Sequence, residues 1–418
     1  MMLAPSPAVP ALHRLTSEEL SSPAGEDRIN ASPSLLSATP PNVVYAEIGT
    51  PDALERIGCE WDELFARAGQ PPQVFQTHAW CRHWCRHFLT SKGGAPTGKI
   101  QLFIVTARRA GRLVLVWPLV IERSLGVSCL TGLGHPVTQY ADAVIDSAEP
   151  DAAAILSGAL QHAIRRSGAD LVHLRKVRAD AAIHTLISES RATATAREVA
   201  PFVDLKSASD FATFEKRYPS KARKNRKRQM RRLEERGVVA LEQVLGGERA
   251  AELASTAVLL KRAWLKSKGR VSPALRDPRF EAFFADVARE GVPSTGCVVT
   301  VLTTSGEPAA IEIAFECKGH RAVHVIVYAM KFMQHSPGQL LIEHSLARCY
   351  ERGISTYDLL APSDGYKSDW AGENVVAVND WALGITARGR LYAEGYLARL
   401  RPALKNAVVS ASRAFKSA

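Results

Sequence analysis

Between Lys331 and Trp370 the chain reads KFMQHSPGQLLIEHSLARCYERGISTYDLLAPSDGYKSDW, and most of its chemistry-bearing residues fall in this stretch. The preceding strand pattern, AVHVIVYAM, stops at Met330, and a short loop holding Pro337-Gly338 opens an amphipathic helix that ends near Arg352-Gly353. A second strand pattern, STYDLL, follows. A helix that starts at a glycine directly after a strand leaves free backbone N–H groups and the positive end of its dipole aimed at one spot, which suits an anion. Gln334, Ser336, Gly338 and Gln339 are therefore candidates to hold the phosphates of an activated acyl carrier, with Lys331 upstream as a further cation. The same residues also fit a plain helix start, with Ser336 as N-cap and Pro337 in the first turn.

Acyl transfer to an amine or hydroxyl needs a base for the attacking group and a donor for the developing oxyanion. Asp358, in the apolar strand STYDLL, needs either a partner or such a task. It is a candidate base, or else one half of a buried ion pair with Lys367 or a basic helix. Lys367, in GYKSDW, could meet the oxyanion or a phosphate, and Tyr366 beside it could protonate a departing thiolate. Glu312 and Glu316 share one strand face. His324 and Tyr328, four apart on the next strand pattern, are candidate acceptor contacts. His78, Cys81 and Cys85 share a helix side but read as packing beside Trp84, so no metal is expected. Nucleophile signatures such as G-x-S-x-G are missing, which favours direct transfer over an acyl-enzyme.

The elements that must position these residues form a mixed α/β pattern that occurs twice. IQLFIVTARRAGRLVLVWPLVIE is a hairpin with Ala110-Gly111 at its turn, and a helix near 151–167 and the strand ADLVHLRKV come after it. GCVVTVLTTSGEPAAIEIAFECKG is the second hairpin, turning at Ser305-Gly306, again with a strand, a helix and a strand behind it. The offset of roughly 190 residues implies two similar α/β (α+β) domains, each a mixed, mostly antiparallel sheet with helices on both faces. The first copy leads into its helix through Asp146, Glu149 and Asp151, three carboxylates that would repel a pyrophosphate, so a donor site belongs to the second.

Composition bounds the reading. The 418 residues, 46% hydrophobic, can fill more than one core. There is no run of about 18 apolar residues to cross a membrane, and the Pro-rich start has no charged leader, so no secretory signal is read there. Seven scattered cysteines, without a CxxC pair, fit reduced thiols in a cytoplasmic protein. Eleven Lys/Arg against two Glu between Lys216 and Arg236 give a net +9 of the chain's formal +11. One helix is thus basic, and it could meet the donor's phosphates, an anionic membrane or RNA. Nucleic acid is not the expected partner, and 391–416 forms a second basic amphipathic segment.

The run from Gln334 to Trp370, the basic helix SKARKNRKRQMRRLEERG, and FQTHAWCRHW with WPLVIER upstream resemble the CelD/BcsL (BioF2-like) acetyltransferases. These belong to the GNAT superfamily, are associated with cellulose biosynthesis, and are distantly similar to the Fem aminoacyltransferases. The resemblance covers about 45–385. It implies two tandem GNAT-like domains, domain one at 43–205 and domain two, with the donor site, at 206–390; the Pro-, Ser- and Ala-rich 1–42 reads by composition as a disordered tail, and 391–418 as a basic amphipathic tail. The resemblance also makes Glu312 a second candidate base. It further implies acyl-CoA, acetyl-CoA in the simplest case, bound between splayed fourth and fifth strands, and a small-molecule or saccharide acceptor. The GNAT pattern Q/R-x-x-G-x-G/A is kept with one glycine, Gly338, a residue late. That departure leaves an aminoacyl-tRNA donor, as in Fem proteins, as the alternative. Work on an exopolysaccharide beside the membrane would suit the basic surfaces, and a non-catalytic role in polysaccharide secretion is a third expectation.

Overall fold

Alternating apolar residues build a long central sheet whose two faces bury different helices. The structure is a computed structural model and describes residues 40–89, 99–124 and 126–404. The disordered tail expected at 1–42 therefore lies outside the described residues up to 39, as does the basic tail from 405 onward. Both expected hairpin turns form, with Ala110-Gly111 and Ser305-Gly306 each holding two consecutive positive φ angles. That geometry is the one that matches strand twist in two-residue hairpins.

Eleven strands form one sheet. In the second half, Cys297–Thr304, Glu307–Cys317 and His320–Tyr328 run antiparallel, and Thr356–Asp358 then lies parallel to the last of them. The first half repeats the parallel step with Val127–Gly132 beside Leu171–Arg178. The two halves exchange strands. Thr193–Asp204, which follows the first parallel pair in sequence, lies against Thr356–Asp358, while Val375–Gly384 lies between it and Leu171–Arg178. A second sheet of four strands carries Val43–Ile48 and the first hairpin.

On Glu307–Cys317 the odd-numbered Ile311, Ile313 and Phe315 face the helices Gly247–Ser267 and Pro278–Glu290. The even-numbered Ala310, Glu312 and Ala314 face the helix Pro337–Glu351. Trp80, from the first-half helix His78–Trp84, packs edge-on against Phe283 and Phe315, so the halves share one core. Cys81 and Cys85 are buried in that same core. The C-terminal segment Tyr392–Leu400 packs Ala393 and Leu397 on Val127 and Leu171 of the first half. No helix among the described residues is long and apolar enough to cross a membrane.

Candidate active site

Strand divergence creates the site. Thr356–Asp358 is paired with His320–Tyr328 only from His320 to Ala322, and the chain beyond it turns to the other side, where the Leu359 N–H donates to the Pro201 carbonyl at 2.9 Å. Among the described residues, no strand lies beside the edge of His320–Tyr328 on that side from Val323 onward. A cavity of about 670 Å³ opens along this edge, lined by Tyr328, Ser336, Gly338, Gln339, Lys261 and Tyr366 among others. A second, polar cavity of about 110 Å³, the inner cavity, shares Lys261, Ile326, Asp364 and Tyr366 with it and is also lined by His324, Gln139 and Lys367.

At the outer end the helix Pro337–Glu351 presents its first turn to the cavity. Ser336 occupies the N-cap position but in left-handed backbone (φ 50°), and its hydroxyl does not cap the helix. Its carbonyl accepts from the Gln339 N–H at 2.9 Å, and Pro337 has no N–H, so the Gly338 N–H is left as a free donor at the cavity wall. A Cβ at Gly338 would meet Tyr328 Cδ1 at 3.7 Å and Ile326 Cγ2 at 4.0 Å, ordinary contacts. Gln339 Oε1 is held by Trp370 Nε1 at 2.7 Å. Gln334 is exposed beside His335 and does not line the cavity. Lys331 is exposed and ion-paired with Glu307 across the hairpin, away from the cavity.

The basic helix Ser220–Glu234 flanks the same end. It docks through Arg226, whose Nε donates to Glu343 Oε1 and whose guanidinium lies 4.9 Å from the Trp370 ring centre. A groove of about 340 Å³ runs between it and Ser336, Gln339 and Trp370. The corresponding helix start in the first half is closed by ion pairs. Arg109 bonds Glu149 at 2.7 Å and Asp151 at 2.9 Å, while Arg67 bonds Asp146 at 3.0 Å. The three carboxylates are thus answered within the protein itself, and the asymmetry between the halves is physical.

At the inner end Lys367 is buried, and its Nζ donates to the carbonyls of Leu360 at 2.9 Å and Pro362 at 2.7 Å. Burial pushes its amine down to about 8, with Asp364 opposing and Lys261 assisting. Two hydrogen bonds to carbonyls leave the third tetrahedral direction of the nitrogen open. Tyr366 lines both cavities, and burial raises its phenol to about 12. His324 stacks edge-on with Phe284 and sits 2.6 Å from the Val137 carbonyl, and burial holds its imidazole at about 4, hence neutral.

Two sequence candidates lie elsewhere. Asp358 is fully buried and accepts from Tyr140 Oη at 2.9 Å, Arg178 Nη1 at 2.9 Å and the Leu360 N–H at 2.8 Å, with His320 Nε2 at 3.2 Å. Burial alone would raise its carboxyl, but His320, Arg178 and the Leu360 N–H together hold it below the ordinary range. Its partners are not Lys367 or the basic helix but residues that tie the halves together. Glu312, also fully buried, accepts from Arg321 Nη2 at 2.6 Å, from Ser345 Oγ at 3.2 Å and from Tyr357 Oη. It therefore serves the sheet–helix interface and lines neither of these two cavities.

Sequence reasoning passed over Lys261. It comes from the helix Gly247–Ser267, lines both cavities, and continues the stripe of Ala250, Ala254 and Ala257 that faces the sheet. A lysine at the end of an apolar stripe was the available signal. Trp264, on the same helix, and Asp364, just after the diverging strand, join it there. Apart from this site, His83, His87 and Asp286 bring ligand-type atoms within 4.8 Å of one another. Arg82 binds Glu290 and Arg289 binds Asp286 in the same place, so charge there is already balanced within the protein.

Residues 220–368 match the family model described as an acetyltransferase (GNAT) domain. That span begins at the basic helix and ends just past Lys367. The fold as a whole is similar to that of FemX, with a TM-score of 0.54 at 8% identity over 84% of this chain and 98% of FemX. The chain is also similar to a tandem GNAT protein from the clavulanic acid biosynthesis pathway, at 12% identity and TM-score 0.45 over 82% of this chain and 98% of that one. A third similar structure is the C-terminal domain of a lysylphosphatidylglycerol synthetase from Agrobacterium fabrum, at 13% identity and TM-score 0.46 over 81% and 95%. No curated protein sequence matches the chain. The fold is therefore α/β with GNAT-like architecture, and the second half holds the part, 220–368, that matches the GNAT domain model.

Proposed function

We propose that the protein transfers an acyl group from acyl-CoA, acetyl-CoA in the simplest case, to an amine or hydroxyl. The observation that carries this is a pair of neighbouring cavities with shared walls at Lys261, Ile326, Asp364 and Tyr366, one holding the open Gly338 N–H and the edge of His320–Tyr328, the other Lys367. An extended amide chain such as pantetheine can hydrogen-bond to such an edge as an added strand would. Its pyrophosphate would meet the helix start at Ser336–Gln339, and the nucleotide end would meet the groove beside the basic helix. In this reading domain two, 206–390, holds the donor, and the first half supplies Gln139 and the wall behind it.

In the inner cavity the acceptor attacks the thioester carbonyl. About one-tenth of Lys367 is neutral at pH 7 given an amine at about 8. Its two N–H bonds to carbonyls then direct the lone pair along the open direction, where it takes the proton from the attacking group. The tetrahedral intermediate collapses with loss of thiolate, which recovers that proton from the Lys367 ammonium. Tyr366, too weak an acid to give up its proton, serves as a hydrogen-bond donor to the oxyanion. Asp358 and Glu312 act on structure, and Lys331 takes no part.

A second reading has one observation in its favour. Lys221, Lys224, Lys227, Arg228, Arg231 and Arg232 are all exposed on the basic helix, and aminoacyl-tRNA would find a polyanion surface there. A thermal-shift titration separates the two. Stabilisation by acetyl-CoA that Gly338→Glu abolishes supports the first reading. Salt-sensitive binding of aminoacyl-tRNA without any response to acetyl-CoA replaces it with the second.

A further inference from the structure

The inner cavity is more positive than a site for a neutral acceptor requires. Its charged lining is two ammonium groups, Lys261 and Lys367, against one carboxylate, Asp364. Behind it Lys176 donates to Gln139 Oε1, while Glu198 and Asp380 answer its charge. Lys261 Nζ makes one hydrogen bond, a long 3.3 Å contact to the Ile326 carbonyl, and otherwise lies 4.9 Å from the Trp264 ring centre. An ammonium carries three donors, and a largely buried one is costly without an anion. Burial lowers its amine, with only Asp364 opposing, as expected where the counter-charge is missing.

We propose that the acceptor is an amine carrying a compact oxyanion, a carboxylate or a phosphate-like group, with the oxyanion held by Lys261 and the amine between Asp364 and Lys367. Lining charges of both signs suit such a zwitterion: Asp364 attracts the ammonium form, and Lys367 removes the proton that makes it nucleophilic. A donor's phosphates have the helix start at Ser336–Gln339 and the basic groove, which Lys261 does not line, whereas Lys261 also reaches the polar cavity that holds Lys367 and Asp364. The proposal rests on the transfer reading for the role of the bound molecule, but its binding claim can fail independently of the donor.

The test is binding to the full chain in the absence of any CoA species, with glycine, aminomethylphosphonic acid and glycinamide as probes at tens of millimolar. A ligand of the folded state raises the melting temperature by mass action. The expected result is stabilisation by glycine or aminomethylphosphonic acid and at least tenfold weaker binding of neutral glycinamide, the stronger anion showing whether carboxylate or phosphonate chemistry is preferred. Lys261→Met should abolish the response and Lys261→Arg should retain it, whereas Gly338→Glu, which blocks the donor, should leave it unchanged. Equal binding of glycinamide, no response to either anion, or an undiminished response in a folded Lys261→Met protein would overturn the proposal. Loss of acetyl-CoA binding with the anion response intact would instead count against the donor reading alone.

Discussion

Asp358 and Lys367 are joined through a single residue: Leu360 donates its N–H to Asp358 Oδ1 at 2.8 Å and accepts from Lys367 Nζ at 2.9 Å. Leu360 has φ 61°, a left-handed backbone that a leucine adopts only when its surroundings impose it. The buried carboxylate thus holds the N–H side of the residue whose carbonyl holds the amine. In the proposed mechanism the aspartate therefore positions, and the lysine meets substrate.

Replacement of Lys367 by Met should lower kcat by about 10²–10⁴-fold with little change in acetyl-CoA affinity. In the unmodified protein kcat should climb with pH and level off above about 8, where the amine is neutral. That limb should be missing from whatever activity the variant retains. The same group makes a stability prediction. Its folded value of about 8 lies below the ordinary 10.5, so between them the unfolded chain binds more protons, and its contribution makes stability rise with pH across that window. Denaturant melts across this range for both proteins would show it.

Asp358→Asn should destabilise the protein by about 1.5–3 kcal/mol, because Arg178 Nη1 and Tyr140 Oη lose an ionised acceptor while Arg178 keeps Asp180 at 2.8 Å. The carboxyl is held below its ordinary value, so its stabilisation is present above pH about 4 and lost as pH falls through the folded value. The melting temperature of the unmodified protein should therefore fall more steeply below pH about 4 than that of the variant. If Asp358 were instead the base, the ascending limb of the rate profile would move with it and not with Lys367.

Gly338→Ala and Gly338→Glu should separate fold from donor. The space around Gly338 accepts a methyl group, so the alanine variant should melt within about 1 kcal/mol of the parent. The glutamate variant should fold but lose stabilisation by acetyl-CoA, since its charge stands where the pyrophosphate would sit. Calorimetric titration of both variants measures this.

Lys331→Ala should be silent. Its pair with Glu307 is solvent-exposed, and such pairs contribute about 0–1 kcal/mol. A large loss of acetyl-CoA affinity in this variant would relocate the phosphate site to the loop before the helix.

How much the sequence disclosed depended on the range of the interaction. The hairpin turns at Ala110-Gly111 and Ser305-Gly306 were legible because local backbone demands write themselves into adjacent residues. The helix beginning at Pro337 and the contrast with Asp146–Asp151 were legible for the same reason. Roles decided across the sheet were not. Glu312 meets Arg321 and Tyr357, and Asp358 meets Tyr140 and Arg178, partners as far as 218 residues away. Strand polarity alone could not tell a buried ion pair from a poised base. The exchange of Thr193–Asp204 and Val375–Gly384 between the halves has no local signature either, since it depends on which sheet edge each strand reaches.

The location of the donor is tested most directly by a crystal structure with a non-hydrolysable acetyl-CoA analogue. The pyrophosphate should lie against the Gly338 N–H, the pantetheine along Val323–Tyr328, and the thioester position within hydrogen-bond reach of Lys367 Nζ. An analogue bound in the first half, or with its acyl end remote from Lys367, would contradict the assignment.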